Sequence, residues 1–555
     1  MKKFYFLIPL LLSTQSIARL KCDPKIDLNQ IDKRLKSFIN IIPTKFNNNC
    51  EPITESHSFL FKNLSPYELK KFKFVESKNQ AREILLNYNP SKRIKADERE
   101  NDKHYLLVDG LSENNRGVEN IFQMDEMKLI SANLEETPWS DDYWALAKGT
   151  LAYRYADPAM QDVYNNPDRD ETDGTWKQLY DFYLTPKAHA ANYVERQEIN
   201  LLSPAEKYDL LIGDENYSFT KWMWAQGEQY YYADNDEDGE PDHHVEGWMG
   251  ICHGWAAASY MLERPTNSVV VKSSQGGHDI HFTPADIKSL ASQLWAVSQS
   301  VDEQGVITPN KFIGGRCNEK EPEIHEETGR IIDPDCFDNS PSSWHKSVVN
   351  QIGVAKRSLV MDATFDYEVW NHPLVSYSYI YFNPVTKKEE KNINQAIANY
   401  TDYKDDPFKE YRSKDTKKII GIIMEVSYVV EVAPTTSDTA GPENDYHQKT
   451  HYAYDLELDE EGNIIAGEWY TNMHPDFLWS PIKNSQAKSQ YEIRFPEHFQ
   501  NTTWDPTKDA VPEMWSFFAK PITVEGQRYT GASESGQPLA SIVEKLIFHS
   551  VRGDI

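Results

Sequence analysis

The segment 247–256 constrains the fold of this chain more than any other part of the sequence. It consists of Gly-Trp-Met-Gly-Ile-Cys-His-Gly-Trp-Ala, and the helix-forming run 256–263 follows it and ends before Pro265. A cysteine at the start of a helix lies near free backbone N–H groups, which lower the thiol pKa and favour the thiolate. Flanking glycines let the backbone approach a substrate carbonyl closely, and the N–H of Cys252 can help to stabilise an oxyanion. We therefore predict a nucleophile at Cys252; the other interpretation is an inert thiol at a buried helix start.

The first residues of the chain indicate export. Lys2 and Lys3 precede a short apolar run, 4–12, and residues 13–18 end in the small-x-small pattern Ser-Ile-Ala. The apolar run is too short to cross a bilayer, and no later stretch approaches about 18 apolar residues. We predict that residues 1–18 are a signal peptide, and that the mature protein is secreted or periplasmic with no membrane span.

The cysteines are consistent with an oxidising compartment. The chain has five of them, and thiols tend to pair outside the cytosol. The local pairs are Cys22 with Cys50 and Cys317 with Cys336, and each closes a loop of about 20–30 residues, for which roughly 3 kcal/mol of stabilisation is expected. Cys252 is then the unpaired cysteine, which favours a chemical use for its thiol.

Composition limits the partners. The chain has 555 residues, 39% hydrophobic and 12% aromatic, which indicates a folded protein of two or three domains or of one large core with an appendage. A net charge of −28 argues against nucleic acid and anionic membranes as partners. Residues 19–130 are rich in Lys, Asn and Glu with broken periodicity, and we predict a separate N-terminal region there, a candidate pro-segment. The catalytic domain is predicted over 131–555. Nothing in the sequence indicates an oligomeric state.

Helix signals come first along the chain and strand signals afterwards. Ser203–Glu206 and Thr283–Asp286 have the pattern of capping boxes that open helices. Ile419–Val432 favours a strand, and Ala453–Leu458 and Ile464–Tyr470 favour a hairpin around an acidic Gly-Asn turn. This order predicts an α+β fold.

The spacing around Cys252 resembles that of papain-like enzymes. Gly250-Ile251-Cys252-His253-Gly254-Trp255 is similar to the Gly-x-Cys-x-x-Trp that begins their central helix. The resemblance implies a papain-like cysteine-protease-type fold with a helical lobe and an antiparallel sheet lobe, here with an N-terminal extension. Glu246 stands where these enzymes carry the oxyanion glutamine, which leaves Trp248 or a backbone amide as the second oxyanion donor.

A thiolate needs a base and a group that orients the base. His451 opens the first strand of the predicted hairpin and Asn472 follows the second, so the hairpin would bring the two side by side in the papain-like order of Cys, His and Asn. We predict His451 as the base and Asn472 as its orienter. Asp476 is the competitor for the orienter role.

Two other histidines are candidates for a role near Cys252. The rival is His345 with Asp362, although the helical stretch 346–355 between them makes direct pairing less natural. His253 follows the nucleophile directly but would point off the adjacent helix face, so a surface role is expected.

A second resemblance is more specific. Residues 367–377, Tyr-Glu-Val-Trp-Asn-His-Pro-Leu-Val-Ser-Tyr, resemble the Val-Trp-Asn-Gln-Pro-Val-Arg-Gly-Phe/Tyr surface peptide of the oomycete transglutaminase elicitors, with His372 in place of Gln. The pieces at 314–317 and 467–479 also agree with that family, and the resemblance covers roughly residues 130–500. It implies a calcium-dependent protein-glutamine γ-glutamyltransferase that joins glutamine side chains to amines such as lysine.

An acidic loop supports calcium as the cofactor. Residues 234–245 fit the first three-quarters of an EF-hand-like loop with Gly239 at position 6, but position 12 is Val245 rather than Glu. The predicted ligands, at positions 1, 3, 5 and 9, are Asp234, Asp236, Asp238 and Asp242. The turn 168–174 is a weaker second candidate, and short acidic turns are often only solvated loops.

Two other functions stay open at this point. In a papain-like cysteine protease or an amidase or deamidase, water rather than an amine would resolve the acyl-enzyme, and the choice depends on pocket shape. The third is a non-catalytic secreted binding protein, against which the unpaired Cys252 at a helix start counts.

Overall fold

A computed structural model of the chain describes residues 103–166, 175–234, 240–274, 276–316, 339–364, 367–406, 408–409, 412–470, 474–500, 503–519, 522–524, 527–529 and 537–553. Several predictions fall outside these residues: the signal peptide, both predicted cysteine pairs and the acidic turn 168–174. In the described part of the chain, no helix is long and apolar enough to cross a membrane.

The α-helices, numbered in chain order, carry the first half of the domain and its C-terminal end. They are α1 His104–Leu107, α2 Ile121–Glu126, α3 Pro158–Tyr164, α4 Thr175–Tyr183, α5 Ala190–Glu195, α6 Pro204–Ile212, α7 Ser218–Tyr231, α8 Cys252–Met261, α9 Pro284–Val297, α10 Pro341–Val348, α11 Ile393–Ala396, α12 Gln490–Arg494, α13 Glu497–Gln500, α14 Glu513–Ala519 and α15 Leu539–Arg552. A π-helical turn, Val349–Val354, continues α10.

The strands lie mainly in the second half. They are β1 Ser131–Asn133, β2 Val269–Lys272, β3 Asp279–Phe282, β4 Gln299–Val301, β5 Lys311–Gly314, β6 Val360–Asp362, β7 Asn371–Asn383, β8 Lys388–Glu390, β9 Ala398–Asn399, β10 Lys418–Val430, β11 Tyr446–Leu458, β12 Ile464–Trp469, β13 Phe477–Ser480, β14 Gln486–Lys488, β15 Ile522–Val524 and β16 Gln527–Tyr529.

The main sheet has the order β12-β11-β10-β7-β6-β13-β5. The strand pairs within it are antiparallel. On its side away from β10, strand β7 pairs in turn with β6, β1 and β8, from its first residue to its last. The start of β7 is therefore the point where the long strands of the sheet meet the short strands β6, β13 and β5.

The two largest hydrophobic core clusters of the described residues differ in the elements that form them. The first lies among the helices and contains Trp255 of α8 and Ile287 of α9, both fully buried. The second lies between the sheet and α10 and contains Trp344, Ile420 and Leu456, also fully buried. Helix α8 packs on α9 and on β7, so the predicted nucleophile lies where the helical part meets the sheet.

The α+β prediction and its local signals are confirmed. Ser203 and Thr283 form capping boxes with Glu206 and Asp286, and Cys252 is the first residue of α8. Strands β11 and β12 form the predicted hairpin. The structure is thus a mixture of helices and an antiparallel sheet.

The segment 104–129 contributes to the second core. Leu107, Ile121, Met124 and Leu129 are buried there with the sheet residues. The predicted division at residue 130 stays a prediction, because most of the region 19–130 lies outside the described residues.

Candidate active site

Cys252 lies at the N-terminal end of α8 and is buried, with 4% of its surface exposed. It is a free cysteine. Its thiol donates to the carbonyl oxygen of Val369 over 3.7 Å and accepts a hydrogen bond from Nδ2 of Asn371 over 3.6 Å. The thiol is therefore covered by the residues that lead into β7.

The thiol pKa differs from the expectation drawn from the helix start. Burial raises the pKa of Cys252 to about 11, against an ordinary value of 9.0. The backbone and side-chain N–H groups of Asn371 lower the pKa, and the carboxyl groups of Glu431 and Asp362 raise it further. Desolvation outweighs the stabilisation of a thiolate by N–H groups here, because burial removes the hydration of the charged thiolate and costs the neutral thiol much less.

The glycines around Cys252 lie close to the backbone of other segments. A Cβ on Gly250 would lie 2.4 Å from the carbonyl oxygen of Tyr143, and a Cβ on Gly254 would lie 2.1 Å from that of Ser292. These two glycines therefore allow the protein's own backbone to approach, and the approach of a substrate carbonyl stays a prediction. A Cβ on Gly247 would meet nothing within 4 Å.

A segment from the start of the helical part braces the nucleophile loop. The carbonyl oxygen of Tyr143 accepts from the N–H of Ile251 over 2.8 Å, and its hydroxyl donates to Gly247 over 2.7 Å. One turn along α8, Nε1 of Trp255 donates to the carbonyl oxygen of Trp139 over 2.9 Å. These contacts help to fix the position of Cys252 relative to β7.

Asn371 is a site residue that sequence reasoning missed. It is 4% exposed, and its Oδ1 accepts from Nε1 of Trp479 over 2.7 Å while its Nδ2 faces Sγ of Cys252. Both ends of the amide are thus held, one by a β13 side chain and one by the thiol. The signal was the Val-Trp-Asn part of the elicitor-like peptide, which was interpreted as a surface feature. In the structure Trp370, Asn371 and His372 are buried.

His372 and Glu431 form a buried pair beside the site. Nδ1 of His372 donates to the carbonyl oxygen of Val429 over 2.9 Å, and Nε2 lies 3.8 Å from Oε1 of Glu431. In the described structure neither Nε2 nor Oε1 has a hydrogen-bond partner. The His372 ring stands edge-on to Trp255, with centroids 5.9 Å apart. Burial lowers the pKa of His372 to about 4 and raises the pKa of Glu431 to about 8.

The structure does not bring His451 to Cys252. His451 lies on β11, and its Nε2 is 3.1 Å from Oε2 of Glu425 on β10. In the sheet register His451 aligns with Glu425 and, through it, with Ser378 on β7. Ser378 comes seven residues after Asn371, a distance on the order of 20 Å along a strand. The role of His451 as base stays a prediction that the folded register does not favour.

The other residues predicted to assist Cys252 either have other partners or lie outside the described residues. Asn472 lies outside the described residues, and Asp476 is fully buried. His345 hydrogen-bonds the hydroxyl of Tyr454 through Nδ1 over 2.8 Å. Asp362 instead accepts from the N–H of Trp370 over 2.9 Å, so the rival pair is split and only Asp362 lies in the surroundings of Cys252.

The groups that could donate hydrogen bonds to an oxyanion lie around the start of α8. The indole of Trp248 donates to the carboxylate of Glu246, so this candidate for the second oxyanion donor is already engaged, and a backbone amide is the other candidate. Arg316 stacks over Trp248 with its guanidinium carbon 5.8 Å from the ring centre. The first N–H groups of α8 remain as donors, because they have no acceptor inside the helix. His253 is exposed.

The predicted calcium loop is only partly described. Asp236 and Asp238 lie outside the described residues, and the N–H of Asp242 donates to the carbonyl oxygen of Ala233 over 2.9 Å. This hydrogen bond places Asp242 next to Ala233, the residue before Asp234. Among the described residues no group of three His, Cys, Asp or Glu side chains could hold a metal ion. The calcium site stays a prediction.

Comparison with known proteins supports one family. Residues 232–495 match the model of the family described as transglutaminase elicitor. The crystal structure of the GP42 transglutaminase from Phytophthora sojae is similar over 63% of this chain and 83% of that chain, with 18% sequence identity and a TM-score of 0.38. No curated protein matches the chain. Over residues 232–495, which include Cys252 and Asn371, the chain therefore carries the sequence pattern of the transglutaminase elicitor family, as the resemblance had indicated.

Proposed function

We propose that this chain is an exported protein-glutamine γ-glutamyltransferase with Cys252 as its nucleophile. The observation that carries the proposal is the environment of the thiol: unpaired, at the first position of α8, and held against the amide of Asn371. The family match over residues 232–495 supports the same function. The papain-like arrangement, the signal peptide, calcium as cofactor, and protein substrates bearing glutamine and lysine belong to this proposal and rest on the sequence.

The reaction divides into two acyl transfers. Sγ of Cys252 attacks the carboxamide carbon of a glutamine side chain, a C–S bond forms, and the C–N bond breaks as nitrogen takes a proton and leaves as ammonia. An amine then attacks the thioester carbonyl, a C–N bond forms, and the C–S bond breaks as the sulfur regains its proton. The N–H groups at the start of α8 stabilise the oxyanion of each tetrahedral intermediate.

The thiol needs a base, because a pKa of about 11 leaves little thiolate at neutral pH. His451 with Asn472 is the pair proposed from the sequence, and it requires a rearrangement of the sheet to reach Cys252. His372 is a second candidate, because Nδ1 donates to Val429 and Nε2 is then the basic nitrogen. Burial lowers the pKa of His372 to about 4, so this base is weak until substrate changes its surroundings. The family carries Gln at this position, so a role for His372 would be particular to this chain.

One observation favours a non-catalytic binding protein as the second candidate. A thiol that is 4% exposed and has a raised pKa has the properties of an inert buried cysteine. Substrate must therefore displace the segment 367–371 from the thiol if the enzyme proposal is correct.

Incorporation of a fluorescent primary amine into a glutamine-rich protein tests the proposal. Cys252→Ala should abolish incorporation and leave the circular dichroism spectrum unchanged. Loss of the true base should cost about 10²–10⁴-fold in rate, so His451→Ala, His372→Gln and His345→Ala identify it. Asn472→Ala should cost less than the base variant, because an orienter only biases tautomer and position. Release of ammonia or peptide cleavage without coupling would favour the hydrolase, and no reaction at all would favour the binding protein.

A further inference from the structure

The carboxamide of Asn371 is held between two groups at the candidate active site. Its Oδ1 accepts from Nε1 of Trp479 over 2.7 Å, and its Nδ2 donates to Sγ of Cys252 over 3.6 Å. An indole N–H can only donate a hydrogen bond, so the carboxamide oxygen must face Trp479 and the NH₂ group must face the sulfur. The contact with Trp479 therefore fixes both the position of this amide and its direction.

The strands that carry the two side chains belong to the main sheet. Asn371 is the first residue of β7 and pairs with Asp362 on β6. Trp479 lies on β13, which pairs with β6 on one side and with β5 on the other. The exposed fraction is 4% for Asn371 and 8% for Trp479. An amide that is buried on a sheet and bonded at both ends is preorganised, as a donor that acts in a transition state must be.

Both N–H donors of Asn371 act on the atom that would react. Its backbone N–H and its Nδ2 both lower the pKa of the Cys252 thiol. In a tetrahedral intermediate the oxyanion is two bonds from the sulfur, so a donor that reaches the sulfur is close enough to reach that oxygen. The first N–H groups of α8 lie beside the same sulfur, because Cys252 is the first residue of that helix. Donors from the helix and from β7 thus converge on one position for an oxyanion.

The neighbouring polar groups cannot fill this role. The indole of Trp248 donates to the carboxylate of Glu246, and a carboxylate would repel an oxyanion. The carbonyl oxygen of Val369, which also contacts the thiol, is an acceptor. Asn371 is therefore the side-chain donor that the described structure places on the sulfur.

We propose that the side-chain amide of Asn371 is the second oxyanion donor at Cys252 and that Trp479 positions it. The inference rests on the proposed acyl transfer at Cys252. As the sulfur attacks the carboxamide carbon, a C–S bond forms and the electron pair of the C=O bond moves to oxygen, where Nδ2 and the N–H groups of α8 bind it. The pair then returns to re-form C=O, the C–N bond breaks, and nitrogen leaves as ammonia with the proton that the thiol gave up.

Two reactions of the same thiol test the inference without a transferase assay. A thiolate is acylated by p-nitrophenyl acetate through a tetrahedral oxyanion, whereas iodoacetamide alkylates it by direct displacement and no oxyanion forms. Both reactions need the thiolate and access to it, so the ratio of acylation to alkylation rates at one pH largely cancels changes in thiol pKa and in access.

Two variants of Asn371 remove the donor in different ways. Asn371→Ala removes the whole amide, while Asn371→Asp keeps the shape and the acceptor for Trp479 but has no NH₂ group, which guards against a loss of folding. Both should lower the ratio at least about tenfold, since loss of one oxyanion donor costs about 10²–10³ in kcat on a full substrate. With a glutamine peptide, Asn371→Ala should lower kcat and kcat/KM by the same factor, because the interaction is made only in the transition state.

Asn383 supplies the matched control, because it is a buried asparagine at the other end of β7. Its Nδ2 donates to the carbonyl oxygen of Gln395 over 3.0 Å, and its Oδ1 accepts from the N–H groups of Val385 and Thr386. Twelve residues of strand separate it from Asn371, on the order of 40 Å. Asn383→Ala should leave the ratio at the wild-type value, and an equal fall in both asparagine variants would reject a specific role for Asn371.

A double variant tests the positioning role of Trp479. Trp479→Phe removes the hydrogen bond that orients the amide and should lower the ratio less than Asn371→Ala does. Added to Asn371→Ala, it should lower the ratio no further, because a positioning residue acts only through the residue that it positions. Trp469→Phe is the control, since it removes an indole hydrogen bond to the carbonyl oxygen of Asn339 and should leave the ratio unchanged. An additive loss in the double variant would reject the positioning role.

The outcomes for this inference and for the transferase proposal are separate. If Asn371→Ala and Asn371→Asp both keep the wild-type ratio, Asn371 is not an oxyanion donor, and a wild type that couples amines to glutamine would leave the transferase proposal standing. If the ratio falls as expected and the wild type never couples an amine to glutamine, the oxyanion donor stands and the transferase proposal fails.

Discussion

The pH dependence of Cys252 alkylation is the prediction that the structure determines most closely. With a pKa of about 11, the thiolate is about 10⁻⁴ of the thiol at pH 7, and the thiolate is the form that reacts with iodoacetamide. A thiol with the ordinary value of 9.0 would be about 10⁻² ionised at the same pH. We therefore expect alkylation of the native protein to be at least about 100-fold slower at pH 7 than that of the unfolded chain.

The assay measures alkylation of the peptide that contains Cys252 by mass spectrometry after timed pulses between pH 7 and pH 10. The rate should rise about tenfold for each pH unit across this range, whereas the urea-unfolded control should level off near pH 9. The shape of the profile reports the pKa, because limited access lowers the rate equally at every pH. Burial lowers the absolute rate and leaves the slope unchanged.

Two variants test in which direction the neighbouring groups shift the thiol pKa. Asn371→Ala removes the donated N–H of the side chain and should raise the thiol pKa further, while Glu431→Gln removes a negative charge and should lower it. A native profile that levels off below pH 8 would refute the reasoning, because the helix start would then outweigh burial. A lowered thiol pKa in Asn371→Ala, or a raised one in Glu431→Gln, would show that these residues do not act on the thiol as described.

Three further changes test the fold and the cofactor. Gly254→Ala should lower the free energy of unfolding in urea by about 1–3 kcal/mol, since its Cβ would lie 2.1 Å from the Ser292 carbonyl; unchanged stability would contradict the close packing of α8 on α9. Arg412→Met should cost about 3–5 kcal/mol in the same titration, because the guanidinium is 2.5–3.3 Å from buried carboxylates of the β11 strand and the segment before β10; a neutral result would contradict the buried pairing. Calcium should raise the melting temperature of the wild type and leave that of the Asp236→Ala, Asp238→Ala double variant unchanged; an equal rise in both would reject this loop.

Local signals in the sequence were sufficient for the elements but not for the pairing between them. The capping boxes and the β11–β12 hairpin follow from short-range patterns, and the structure has them. The base that would act on Cys252 cannot be read from such patterns. Strand β11 begins at Tyr446, and its pairing with β10 aligns His451 with Glu425. A hairpin fixes which residues of its two strands face each other, and it carries no information about which end of the sheet meets a helix from another part of the chain.

The thiol environment depends on residues far along the chain. Val369 and Asn371 cover Cys252 from 117 and 119 positions away, and the resulting desolvation reverses the pKa shift that the helix start alone predicts. Glu431 is one acidic residue after the apolar strand β10, and its burial beside His372 depends on how α8 packs on β7. Such contacts are set by tertiary packing rather than by local sequence.

The most direct test is to trap the acyl-enzyme itself. The protein is incubated with a glutamine-containing peptide in the absence of amine, quenched in acid, digested and analysed by mass spectrometry. The proposal predicts that the peptide containing Cys252 gains the mass of the glutamine peptide minus one ammonia, that hydroxylamine removes the adduct, and that Cys252→Ala never forms it. An adduct on another residue, or glutamine turnover by Cys252→Ala at the wild-type rate, would contradict Cys252 as the nucleophile.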